Sequence, residues 1–303
     1  MNLAKAFMMG AAVLSIAACN GGQLAPTVNP VSTPQIRQAP DYFNIGEYCS
    51  SLPERLGQVS GIEGRLNSSG QGQPLKQLSK DIVLIMDKQN SAFSHGIRVS
   101  ANYVLVAGHA ILYKTQVTIP GDKNTYSRAE YHAIWVGYRD ELSKSVAEKK
   151  LRLEDKIEFG LITAPHATVS SKQDLGLVYA PSASDAVPVV FRSSETLKVG
   201  EPVYAYVFLP GGTDVQTVSG TITSLSTVSD YAGQFRVSML LPKGTSGGPV
   251  FDQDGRLIGL LSNYYLPPGK VDLPENYAGT NVSGIDVLAG MLLQERATIA
   301  ACK

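Results

Sequence analysis

From about residue 80 to the C-terminus the chain repeats one pattern: short apolar runs, rich in β-branched and aromatic residues, closed off by turn residues. "DIVLIMD", "GIRVS", "YVLVAGH", "TQVTI" and "YHAIWVGY" come first; "DLGLVYA", "VPVVF", "PVYAYVF", "SGTITSL", "QFRVSML", "PVFDQDGRLIGLLS" and "GTNVSGI" follow. Runs of this length are too short for helices that bury an apolar face, and their residue types suit a pleated sheet. Asp254-Gly255 is a hairpin turn signal between two of them. The chain therefore reads as all-β, of barrel or sandwich type, and its 303 residues allow one large domain or two small ones. No internal repeat of fixed period is visible.

Two stretches depart from the pattern. Residues 139–156 hold eleven charged side chains in eighteen, too many for a core element, and read as a solvated insertion between strands. In "GIDVLAGMLLQERATIAA", Ile285, Leu288, Leu292 and Ile299 fall near helical spacing, which predicts a C-terminal helix packed on the sheets.

The N-terminus carries a different kind of information. Lys5 precedes "AFMMGAAVLSIAA", an apolar run that suits a signal-peptide core and is too short to span a bilayer. It ends in Ile16-Ala17-Ala18-Cys19, which resembles the lipobox of bacterial lipoproteins. That resemblance implies a signal peptide over 1–18, acylation of Cys19, and, with Asn20 following, an outer-membrane destination facing the periplasm or the cell surface. Residues 19–41 are rich in Gly, Pro, Ser and Thr and read as a flexible tether. With Cys19 acylated, Cys49 and Cys302 remain near the two ends of the folded region, and an oxidising compartment favours a disulfide between them. Equal numbers of acidic and basic residues give no long-range attraction to nucleic acid, and none is expected as a partner.

The segment "PKGTSGGPVF" at 242–251 raises the question of chemistry. Gly244-Thr245-Ser246-Gly247-Gly248 has the G-x-S-x-G spacing of a nucleophile elbow, which needs a helix after the serine and a histidine downstream of it. Here strand-like sequence follows, and all four histidines (95, 109, 132 and 166) precede Ser246. The elbow reading fails. Extended to Pro249, the segment matches G-x-S-G-G-P, and the order His109, Asp174, Ser246 is the chymotrypsin-like one. His109 follows the apolar "YVLVAG", and Asp174 precedes "LGLVYA". "AYVFLPG", "SGTITSLS" and "GTNVSGIDVLAGMLL" extend the likeness. Over roughly residues 80–295 the chain resembles the trypsin-like serine protease superfamily, on the V8- and HtrA-like bacterial side.

The resemblance implies two six-stranded antiparallel β-barrels: an N-terminal segment and first barrel over 42–190 with His109 and Asp174, and a second barrel with the C-terminal helix over 191–303. It implies a serine endopeptidase acting on protein or peptide substrates, with Ser246 as nucleophile, His109 as base, Asp174 orienting the imidazole, and the N–H groups of Gly244 and Ser246 as oxyanion hole. Asp140, Asp155 and Asp185 are weaker candidates for the acid, since two lie in the charged insertion and the third among Ser, Ala and Pro. Thr245 departs from the animal enzymes, which carry an Asp there to receive a new N-terminus, so activation by that ion pair is not expected. Leu240, Leu241 and Ser262 are expected to line the specificity pocket, and leucines there favour cleavage after small or medium apolar residues. His95, His132 and His166 lack metal-ligand spacing and are expected to be structural or exposed; neither a metal nor a cofactor is implied. The alternative in another class is a lipid-anchored binding or scaffold protein that keeps the fold without the activity.

Overall fold

The computed structural model describes residues 49, 52–66, 68–87, 93–118, 125–131, 134–138, 161–163, 166–170, 172–180, 186–208, 215–226 and 231–302. They belong to one unit, Ala39–Lys303. The signal peptide, Cys19, the tether, the charged insertion at 139–156 and the competing aspartates Asp140, Asp155 and Asp185 lie outside the described residues.

Fifteen strands form among the described residues. Nine of them, β1 (Ile82–Asp87), β2 (Phe93–Arg98), β3 (Tyr103–Ala107), β4 (Leu112–Thr118), β5 (Thr125–Tyr131), β6 (Ile134–Tyr138), β7 (Leu161–Thr163), β8 (His166–Ser170) and β9 (Leu175–Tyr179), make up the first half. The second half holds β10 (Pro202–Phe208), β11 (Val215–Ser224), β12 (Gln234–Val237), β13 (Pro249–Asp252), β14 (Leu257–Tyr264) and β15 (Thr280–Gly284). The latter close into a barrel in the order β10-β11-β12-β15-β14-β13. The first half, expected to hold the first six-stranded barrel, forms among the described residues a seven-stranded sheet, β7-β6-β1-β2-β3-β9-β8, with β4-β5 as a separate ribbon.

Alternation along the strands explains how the halves are covered. In β10, Val203, Ala205 and Val207 point into the barrel, whereas Tyr206 and Phe208 join the core shared with the first sheet. In β14 a register shift against β13 resets the alternation, so that Ile258 and Leu261 point inward, and Leu257 and Leu260 outward to that same shared core. Strand β3 does the reverse, giving Tyr103 and Leu105 to the shared core and Val104 and Val106 to the far side of its own sheet. Strands apolar on both faces are thus buried on both faces, which is why they read as unbroken apolar runs.

Helix α1 (Leu52–Leu66) and helix α2 (Leu288–Ala300) pack together over the shared core. Val59 and Ile62 come from α1, and Leu288, Leu292 and Ile299 from α2, with Ile285 in the turn before it. Beneath them lies a buried charge pair, Arg55 to Glu295 at 2.5 Å. The Tyr103 hydroxyl donates to Glu295 at 2.6 Å, and the Arg55 guanidinium lies over the Tyr179 ring. Burial, reinforced by the Glu295 carboxylate, pushes the Tyr103 phenol far above its ordinary range. A disulfide between Cys49 and Cys302, 253 residues apart, joins the two helices at their outer ends.

Candidate active site

His109 sits in the one-turn 3-10 helix Gly108–Ala110 that ends β3. Asp174 stands just ahead of β9, the strand paired with β3, so the sheet register alone brings the two together. Asp174 has φ of 54°, the left-handed region that Asp tolerates better than most side chains at a cost of about 1 kcal/mol. Gly108 allows the approach, since a Cβ there would lie 3.0 Å from the Asp174 carbonyl carbon. The His109 amide donates to Asp174 Oδ1 at 2.7 Å, and the ring Nδ1 stands 2.9 Å from Oδ2.

The Asp174 carboxylate is buried, and the His109 ring is partly open to solvent. Burial pulls the His109 pKa down, but the hydrogen bond and charge of Asp174 outweigh it, and the net shift is upward. A raised pKa suits a base whose cationic form must be stabilised during proton transfer.

Ser246 lies in the loop that leads into β13. Its hydroxyl donates to the Ser262 carbonyl at 3.1 Å, and not to the His109 ring. Ser262, on β14, also donates its own hydroxyl to Asp174 Oδ2. One polar chain therefore runs from Ser246 through Ser262 to Asp174 and His109. The Ser246 loop bends through two left-handed glycines, Gly244 at φ 94° and Gly247 at φ 80°. Among the described residues, the N–H groups of Gly244 and Ser246 have no hydrogen-bond partner. Thr245 is buried and its hydroxyl donates to Pro242 O at 2.9 Å, so it braces the turn from within.

The three residues expected around a specificity pocket are placed differently from one another. Leu240 is 54% exposed, whereas Leu241 is buried in the barrel core with Leu261 and Val282. Ser262 is buried against Asp174. Its partnership with Asp174 and Ser246 goes beyond the pocket-lining role read from sequence. His95, expected from sequence to be structural or exposed, is 2% exposed and touches the Ser246 loop through main chain and ring. The His166 side chain and all of His132 lie outside the described residues. Among the described residues there is no cluster of His, Cys, Asp and Glu able to hold a metal ion.

An antiparallel β-protein with a closed barrel, a His–Asp pair and a serine in a glycine-bracketed loop defines a recognisable class. Residues 94–260 match the trypsin-like peptidase domain family, and the chain belongs to it. Two curated relatives are the probable periplasmic serine endoproteases DegP-like of Marinomonas sp. (strain MWYL1) and Pseudomonas fulva (strain 12-X). They are 31% and 30% identical to this chain over 123 residues, which is 39% of its length. The chain spans about a quarter of the length of these relatives, 25% and 24%. Among solved structures, the MamO protease domain of Magnetospirillum magneticum superposes with a TM-score of 0.47 at 13% identity, covering 71% of this chain and 96% of that one. Deg5 gives 0.47 at 15% identity, covering 78% and 92%.

Proposed function

We propose that this protein is a serine endopeptidase that cleaves peptide bonds through an acyl-enzyme. The observation that carries the reading is the single polar chain from Ser246 through Ser262 and Asp174 to His109, set beside two unpartnered backbone N–H groups. In the reaction the Ser246 hydroxyl exchanges the Ser262 carbonyl for the His109 ring by turning about its Cα–Cβ bond. His109 takes the proton as Ser246 attacks the scissile carbonyl, and Asp174 holds the proton on Nδ1 and stabilises the imidazolium. The oxyanion is met by the N–H groups of Gly244 and Ser246, each such donor contributing about 3 kcal/mol to the transition state. His109 then returns the proton to the leaving amine, and water releases the acyl group by the same steps.

The likeness to relatives described as periplasmic, together with the signal-peptide and lipobox pattern, supports export and anchoring through an acylated Cys19, with the enzyme facing the periplasm or the cell surface. The test is labelling of the purified protein with a fluorophosphonate probe, mapping of the modified residue, and a peptide-hydrolysis assay. Labelling of Ser246 and turnover lost in Ser246→Ala are expected. A folded protein that neither labels nor hydrolyses would instead be the binding or scaffold protein of the alternative reading.

A further inference from the structure

The loop that presents Ser246 is held by a residue from the other half of the molecule. His95 on β2 donates its backbone N–H to the Ser246 carbonyl at 2.6 Å. Its ring Nδ1 lies 2.9 Å from the Gly244 carbonyl. The other ring nitrogen, Nε2, accepts the Phe208 N–H at 2.8 Å. Because an amide N–H can only donate, Nε2 must carry a lone pair, so the proton of a neutral ring sits on Nδ1 and is donated to Gly244 O. The His95 backbone N–H and ring Nδ1 thus each hold a loop carbonyl, one on either side of Thr245.

Thr245 braces the turn through Pro242 O and Gly248 N–H, but among the described residues no hydrogen bond from within the loop reaches the carbonyls of Gly244 and Ser246. Gly244 has no Cβ and sits at φ 94°, a region glycine enters and leaves without steric cost. The contact from Thr245 N–H to Pro242 O is long, at 3.4 Å. The loop is seated directly on His95: a Cβ placed on Gly247 would lie 1.9 Å from the His95 carbonyl oxygen. The ring is stacked on Phe208, with centroids 5.7 Å apart and planes at 23°, so it cannot swing away.

We infer that His95 is a positioning residue for the oxyanion hole, clamping the carbonyls of Gly244 and Ser246 so that the N–H groups of those two residues stay aimed at one point. The inference rests on the endopeptidase reading above. A preorganised donor pair costs no reorganisation when charge develops on the substrate oxygen, so loosening it is felt in the chemical step more than in substrate binding. Burial holds the ring neutral, with a pKa near 4, and only the neutral ring can both accept from Phe208 and donate to Gly244. Asn at this position could still offer a donor to Gly244 O from its side-chain amide, whereas Gln places its amide near the Nε2 position and faces Phe208 instead.

The test compares wild type, His95→Asn, His95→Gln and His95→Phe in peptide hydrolysis, with thermal unfolding and amide NMR of Gly244 and Ser246 recorded for each. His95→Phe, which keeps the ring stacking, is expected to lower kcat by roughly 10²–10³-fold with KM changed less than about threefold. His95→Gln should fall with it, and His95→Asn should regain at least about tenfold. The Gly244 and Ser246 amide signals should shift or broaden in Gln and Phe and stay near wild type in Asn. Equal kcat in the folded Asn and Gln variants, or a loss confined to KM, would overturn the clamp. A wild type that neither hydrolyses nor labels would overturn the endopeptidase reading alone. The amide signals would then decide the clamp, and unchanged signals in both Gln and Phe would dismiss it.

Discussion

The Ser262 hydroxyl donates to Asp174 Oδ2, the same carboxylate oxygen that stands 2.9 Å from His109 Nδ1. Ser262 thus does from β14 what the backbone amide of His109 does from the turn after β3: it donates a hydrogen bond to a buried carboxylate. The Ser262 carbonyl meanwhile holds the Ser246 hydroxyl, so one residue joins the candidate acid to the candidate nucleophile.

Ranked effects follow from these roles. Ser246→Ala and His109→Ala should each lower kcat by roughly 10⁴–10⁶-fold, because both groups act as one unit in the same step. Asp174→Asn should cost about 10⁴-fold by favouring the wrong imidazole tautomer. Ser262→Ala leaves the His–Asp pair in place and should cost about tenfold, in line with one charge-assisted hydrogen bond of about 1.5 kcal/mol. Steady-state kinetics with circular dichroism as a folding control checks the ranking, and a Ser262→Ala loss as large as that of Asp174→Asn would contradict it.

The two histidines should leave opposite marks on pH dependence. His109 is raised in the fold, so it favours the folded state below pH 6.5 and that contribution fades as pH rises through its folded pKa. As a base it must be neutral, so kcat/KM should rise with pH along a limb whose midpoint lies above 6.5. His95 is lowered to about 4, so between pH 4 and 6.5 the unfolded chain binds more protons and stability rises with pH, by about 3 kcal/mol across the window. Imidazole NMR titration locates both groups, and His95→Asn should flatten the denaturation midpoint between pH 4 and 6.5. A midpoint equally pH-dependent in that variant would refute the assignment.

What could be read from sequence, and what could not, divides along physical lines. The strands were legible because β-branched runs buried on one or two faces leave a composition that helices do not need, and "YVLVA" and "LGLVY" are buried throughout. The C-terminal helix was legible from Ile285, Leu288, Leu292 and Ile299, all buried as expected. Helix α1 was passed over, although Leu52, Val59, Ile62 and Leu66 have helical spacing, with Pro53 and Glu54 suited to a first turn. Arg55 disguised it by placing a charge on the buried face, and its partner Glu295 lies 240 residues away. The pairing of His109 with Asp174 follows from strand register, but the His95 contact with Gly244 and the Ser262 contact with Asp174 span 149 and 88 residues and cross between the two halves. No local pattern encodes such contacts. The pairing order of the first sheet, with seven strands and β4-β5 apart, was also hidden, since strand content does not reveal which strands become neighbours.

Apolar chemistry around Leu240 should govern what is cut. Leu240, six residues before Ser246, is exposed, while Leu241 and Leu261 are buried in the barrel core, and none offers a carboxylate or imidazole to a charged side chain. Cleavage should follow Val, Ala or Leu, because an apolar pocket gains about 25 cal/mol per Å² buried and penalises an unpaired charge. A peptide-library digest read by mass spectrometry checks this, and dominant cleavage after Arg, Lys or Glu would reject it.

The Arg55–Glu295 pair should behave as a buried ion pair. Glu295→Leu or Arg55→Met alone should destabilise by about 3–5 kcal/mol, because each strands its partner's charge away from water. The double replacement Arg55→Met with Glu295→Leu should recover much of that loss. Chemical denaturation of the three variants measures the coupling. Strictly additive losses would mean that the two side chains act independently.

The bond between Cys49 and Cys302 also decides how the protein bears force. Any tension reaching the folded unit through the chain before residue 49 passes across that bond to the far end of α2 and bypasses the strands. The chain between the cysteines, a separation of 253 positions and a reserve of roughly 850–900 Å when fully stretched, is therefore unavailable to a pull while the bond is oxidised. Under the proposed anchoring at Cys19, a pull from the membrane would strain the Cys49–Cys302 clasp first and leave the strands that carry His109, Asp174 and Ser262 in register.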